Sequence, residues 1–159
     1  EFGTSCLVER AEKPTIERRA LAVLRETGYH GISEAEFVYC PDREEYLLLD
    51  INTRPWKWIG LPVAAGANLP LAAYASVTET SYQPAEQTDA RWVYLPDYLE
   101  LLATTDVPDR LGPADWQALL GGEFEDSGLT AGVYRPSDPG PAYQVLQTTL
   151  GVSEYYCAC

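Results

Sequence analysis

The chain has 159 residues and carries 24 Asp and Glu against 11 Lys and Arg, for a formal net charge of −13 and a pI near 4.3. That acidity argues against nucleic acid as a main partner, because phosphate binding needs a basic patch; a bound divalent cation can still reverse the local sign and admit a nucleotide. Hydrophobic residues make up 46% and charged residues 22%, an ordinary globular balance in a chain long enough to bury a core without staples.

One domain is the default for this length, with two small subdomains as the alternative. Residues 4–9 are β-prone. Glu12-Lys13-Pro14-Thr15 opens a helix with Pro in its first turn. Ile16, Ala20, Leu21 and Leu24 recur at helical spacing, and Gly28 is placed to end the helix. A strand is predicted over 31–39, turn chemistry at Pro41-Asp42-Arg43-Glu44, and a second, more apolar strand over 46–52. Leu47, Leu49 and Ile51 are expected on one face of it, and Leu48, Asp50 and Asn52 on the other. A buried helix is predicted over 59–67 and a second helix over 69–77, with a polar loop over 78–89. A strand at 91–94, helices over 96–103 and 113–120, a weak strand over 129–134 and a last helix over 142–150 follow. No internal repeat and no low-complexity tract interrupts this order.

The two strands over 31–52 carry the chemistry. Residues two apart on a strand share a face, so Asp50 and Asn52 project together, and hairpin pairing brings Glu36 to them. Two carboxylates and an amide form an all-oxygen set, which suits a hard cation such as Mg²⁺. Arg54 follows at the same parity and can hold an anion beside the metal.

These residues resemble the metal-binding hairpin of the ATP-grasp superfamily, in the branch of carboxylate–amine ligases related to carbamoyl-phosphate synthase ATP-binding domains. That branch shows Gly, Glu-x-Glu-Phe, a short turn, an apolar strand ending Glu-x-Asn-Pro-Arg, and an aromatic. Here the positions read Gly31, Glu34-Ala35-Glu36-Phe37, Pro41 to Glu44, and Asp50-Ile51-Asn52-Thr53-Arg54-Pro55-Trp56. Ala64-Ala65-Gly66-Ala67-Asn68-Leu69-Pro70, Arg91-Trp92 and Asp138-Pro139-Gly140-Pro141 are similar as well. Asp50 stands for the usual Glu, Thr53 for Pro, and Glu44 where the turn often has Gly.

The resemblance implies an α+β fold, the C-terminal subdomain of an ATP-grasp protein. A mostly antiparallel sheet would carry the hairpin, flanked by helices. Residues 1–78 would form the metal-binding catalytic subdomain and residues 79–159 a C-terminal helical extension packed on it. It further implies Glu36, Asp50 and Asn52 as ligands of Mg²⁺ or Mn²⁺, with Asn52 and Arg54 at the ATP phosphates and Arg54 as the catalytic cation. The reaction implied is ATP-dependent activation of a small carboxylate as an acyl phosphate, which an amine captures. The chain has only two lysines, Lys13 and Lys57, and neither stands where the family's nucleotide lysines lie. It therefore resembles the C-terminal half of such an enzyme. The second reading is a non-catalytic half that binds a partner chain, or one arm of a split enzyme.

Other residues carry weaker signals. His30 is expected to be structural or exposed. Trp56 and Trp58 either stack on a ligand or pack on the protein. Ser5 and Ser33 have no triad context, and Gly121-Gly122 reads as a helix stop rather than a phosphate loop. Four cysteines, Cys6, Cys40, Cys157 and Cys159, are expected as free thiols, the pair at 157 and 159 included. With no apparent signal peptide and no run of membrane-spanning length, a cytoplasmic location is expected.

Overall fold

The computed structural model describes residues 5–123, 127–149 and 151; Cys157, Cys159 and the last position of the predicted final helix lie outside them. The fold is α+β, with strands β1 (Leu7–Glu9), β2 (Glu34–Cys40), β3 (Glu45–Asn52), β4 (Arg91–Val93) and β5 (Leu129–Ala131). The helices are α1 (Pro14–Glu26), α2 (Gly60–Ala64), α3 (Leu69–Thr78), α4 (Leu95–Thr104), α5 (Pro113–Gly121) and α6 (Gly140–Thr149). Among the described residues, no helix is long and apolar enough to cross a membrane.

The strands form two sheets rather than the single, mostly antiparallel one expected. β2 and β3 pair antiparallel on their own, while β1, β4 and β5 make a three-stranded sheet in the order β1-β4-β5. The β4–β5 pair is parallel. Parallel neighbours need a long crossover, and here α4 and α5 lie between them in the chain. Residues 9–90 form one compact unit; residues up to 8 and from 91 onward form the other.

The second of these units holds most of the buried core. Val93, Tyr98, Leu111, Leu119, Leu129 and Ala131 pack together, with Leu7, Leu95, Leu102 and Trp116 against them. Two polar arrangements fix its loops. Tyr98 donates its hydroxyl to Asp109 Oδ1 at 2.7 Å and accepts from the Arg110 amide at 2.8 Å. Asp115 accepts both guanidinium bonds of Arg91, one of them at 2.8 Å, and caps α5 by accepting from the Gly112 amide at 2.8 Å. That bidentate bond from Arg91 holds the Asp115 carboxyl below the usual carboxylate range, against the effect of its burial.

In the unit of residues 9–90, α1 starts at Pro14, carries Glu17 in its first turn and Arg25 in its last, and so matches the helix dipole at both ends. Thr27 closes it with hydroxyl bonds to the Val23 and Leu24 carbonyls, and Gly28 follows in the left-handed region at φ +64°. α3 is capped by Asn68, whose side chain accepts from the Leu71 amide at 2.9 Å. The helix expected over 59–67 is shorter, Gly60–Ala64, with Leu61 buried in it. Pro62 sits in its first turn, where proline is tolerated, and Gly66, at φ +99°, closes the segment.

Candidate functional site

The β2–β3 register decides which side chains meet. Glu34 pairs with Asn52, Ala35 with Ile51, and Glu36 with Asp50. Paired residues share a face, as do residues two apart, so Glu34, Glu36, Asp50 and Asn52 stand on one face of the ribbon. The register then slips: Phe37 pairs with Leu48, and Leu49 is left as the extra residue of a bulge. This corrects the strict alternation expected of β3. Leu48 takes the face of Phe37, opposite Glu36, and not the face of Asp50. Leu49 is 64% exposed. The bulge lets β3 keep an apolar side for α1 while its last residues present oxygen atoms. On that apolar side, Ala22 and Val23 of α1 share a small hollow with Phe37, Tyr46 and Leu48. Arg19 of α1 donates to the Tyr46 carbonyl and pairs with Glu45 at 3.4 Å.

The turn between the strands is a short 3-10 turn, Pro41–Arg43, closed by Glu44 at φ +50°. A non-glycine residue in the left-handed region is strained by its Cβ. The position is therefore one where Gly is at home, and this chain accepts Glu there.

At the open end of the ribbon the polar groups interact. Asn52 Nδ2 donates to Glu36 Oε1 at 2.9 Å. Burial pushes the Glu34 carboxyl above its ordinary value, and the charges of Glu36 and Asp50 push it the same way; a hydrogen bond from Asn52 and the charge of Arg54 oppose them. Glu36, Asp50, Asn52 and Arg54 thus all act on Glu34. Arg54 lies just past the end of β3, exposed, with Nη1 donating to the Pro55 carbonyl at 3.2 Å. Glu34 is the carboxylate that the sequence reading passed over. Its spacing of two from Glu36 on a strand was the available signal.

Two local devices hold the end of the ribbon. Tyr29 donates its hydroxyl to the Ile32 carbonyl at 2.8 Å and reaches the Thr53 carbonyl at 3.4 Å, tying the start of β2 to the residue between Asn52 and Arg54. Gly31, at φ +146°, permits this, because a Cβ there would come within 2.8 Å of the Tyr29 hydroxyl. Downstream, Trp56 and Trp58 pack edge to face at 5.3 Å, and the Trp56 indole N–H is buried without a hydrogen-bond partner among the described residues.

Among the described residues, no group of three or more His, Cys, Asp and Glu side chains is arranged to hold a metal ion. Cys6 and Cys40 are free thiols. His30 is exposed in the loop before β2. No family model matches this chain, and no curated protein and no solved structure is significantly similar to it.

The raised Glu34 carboxyl gives a test of whether this face is built for a cation. An acid whose folded value is raised favours the protonated fold, so its contribution falls as pH rises from the unfolded value through the folded one. At neutral pH Glu34→Gln should therefore raise the melting temperature in EDTA. With millimolar Mg²⁺ the wild type should recover the difference, because the cation offsets the repulsion that the substitution removes. Melting curves with and without Mg²⁺ check this. A wild type that gains nothing from Mg²⁺ would count against cation binding here.

Proposed function

We propose that the β2–β3 ribbon is the Mg²⁺–phosphate half of an ATP-dependent ligase site of the ATP-grasp type. The reaction passes the γ-phosphoryl group of ATP to a substrate carboxylate and releases ADP. An amine then attacks the acyl carbon of the acyl phosphate and releases phosphate. The observation that carries the reading is the register of Glu34 with Asn52 and Glu36 with Asp50, with the charge of Arg54 acting on Glu34. Three carboxylates and an amide oxygen on one face match the hard-donor preference of Mg²⁺ and Mn²⁺. The Glu34 carboxyl, raised first by burial and then by the charges of Glu36 and Asp50, stands at the same place.

In this reading Glu36 and Asp50 would hold the metal, Asn52 would add its oxygen and Glu34 a further carboxylate; the three carboxylates share the face without being drawn together as a metal-holding group, so the ion itself would have to close them. Mg²⁺, when bound, would neutralise the phosphate oxygens. Asn52 also orients Glu36 through its amide nitrogen. Arg54 provides a planar cation to the transferred group, the form of charge best matched to phosphate. Phosphoryl transfer asks for positioning and charge more than for covalent help, and this residue set provides those two things. Calorimetric titration with ATP, in Mg²⁺ and in EDTA, tests the reading; equal binding in both would end it.

A second reading, in which the same face works only with a partner chain, is favoured by the thin core around it. In residues 9–90 the buried hydrophobic residues are Leu61, Ala65, Ala75 and Ala90, while Val38 and Leu49 of the ribbon stand exposed. A two-stranded ribbon gains stability mainly from what packs on it. Failure of the chain to bind Mg²⁺–ATP alone, with binding restored by a partner, would select this version.

A further inference from the structure

A second cavity lies in the same compact unit as the ribbon. Between α1, the 28–33 loop and α3 there is a cleft of about 790 Å³. This is within the range of small-molecule sites. Its walls are mainly aliphatic: Leu21 and Leu24 of α1 face Ala73 and Val77 of α3. The polar groups in it have one tendency. Arg25 and His30 line the cleft, and no Asp or Glu does, although acids outnumber bases 24 to 11 in the whole chain. Neither the Arg25 guanidinium nor the His30 ring has a partner among the described residues.

The cleft is connected to the ribbon. Tyr29 lines it and also bonds to the Ile32 and Thr53 carbonyls. Ser33, the residue before Glu34, lines it as well. A ligand here would therefore lie next to the residues that carry the phosphate chemistry.

From this we infer that the cleft binds a small carboxylate with an apolar body, the aliphatic part between α1 and α3 and the carboxylate on Arg25, with His30 as a second donor. A guanidinium without a protein partner is matched by an anion, and a carboxylate accepts both of its parallel bonds. An aliphatic lining is matched by a hydrocarbon chain. The inference rests on the proposed ligase reading only for calling this ligand the substrate; the binding itself stands apart from it.

The experiment is a titration of ¹⁵N-labelled protein with hexanoate, in the absence of Mg²⁺ and ATP, followed by NMR. Hexanoate is expected to shift the amide signals of Leu24, Ser33 and Ala73 with a millimolar Kd. Hexanamide, which has the same body without the charge, should bind about 10-fold more weakly or less, the scale of one charge-assisted pair. Arg25→Leu should bring hexanoate down to the hexanamide level, and Ala73→Trp should block both by filling the cleft. Equal binding of acid and amide, or shifts confined to other parts of the protein, overturns the inference. Because neither metal nor nucleotide is present, failure of the ribbon to bind Mg²⁺–ATP would leave this result unaffected, and the reverse holds too.

Discussion

On the proposed ligase reading, Glu36→Gln is expected to remove Mg²⁺-dependent nucleotide binding while leaving the protein folded. Glu36 is exposed and sits opposite Asp50, with Glu34 two residues away on the same face. The substitution keeps the shape of the side chain and an oxygen that can accept from Asn52 Nδ2, the contact seen at 2.9 Å. It removes one of the charges that a divalent ion needs. Loss of a group one step removed from a metal costs roughly 10–100-fold in affinity, so loss of a ligand charge should exceed about 100-fold. Stability should change by no more than about 0.5 kcal/mol, as for an exposed position away from the core, and upward if at all, because the change relieves repulsion. Calorimetry with Mg²⁺–ATP reads the first effect, and a thermal melt in EDTA reads the second. Unchanged Mg²⁺–ATP affinity would refute the assignment of Glu36.

Asp115→Ala should strongly destabilise the other unit. Asp115 is 7% exposed and takes both guanidinium bonds of Arg91 and the Gly112 amide. Removing one partner of a buried ion pair costs about 3–5 kcal/mol. Arg91 keeps partial access to water, with 31% of its side chain exposed, so about 3 kcal/mol is expected. Asp115→Asn, which retains an oxygen for Gly112, should lose less. The depressed Asp115 carboxyl also sets a pH dependence. A lowered acid contributes stability above its unfolded value and loses it as pH falls through the folded one. The stability gap between wild type and Asp115→Ala should accordingly be full at neutral pH and close in strong acid. Urea denaturation followed by tryptophan fluorescence, at neutral and acid pH, measures it. A gap that persists unchanged into acid would mean the ion pair is not its source.

Most of the element order was legible in the chain. Pro14, Pro70 and Pro113 stand in the first turns of their helices, and Gly28 and Gly122 follow helix ends in the left-handed region. These positions are set by local sterics, which act through neighbouring residues only. The two ribbon strands and the turn between them were legible for the same reason. The α2 segment was not, since an apolar run of small residues does not say where a helix stops. Nor was the position of the bulge: Leu47-Leu48-Leu49 is apolar throughout and does not mark which residue is the extra one, and the slip shows only in the register with β2.

The candidate site divides along the same line. Asp50, Asn52 and Arg54 could be grouped from spacing, because period two along a strand is a property of one strand; Glu36 joined them only on the expectation of a hairpin, which the pairing of Glu36 with Asp50 bears out. Glu34 has the same spacing of two from Glu36, but only pairing shows that Asn52 stands across from it and that Glu36 and Asp50 act on it. The Arg91–Asp115 pair, 24 residues apart, and the parallel β4–β5 pairing have no local signature at all. The sequence alone therefore determined most of the order of helices, strands and turns, and that oxygen-bearing side chains gather at the end of the ribbon. Tertiary structure decided which strands share a sheet, which carboxylates stand together, and which cleft Arg25 and His30 line. Such contacts are made between residues far apart in the chain, where register and packing select among partners that local preference leaves equivalent.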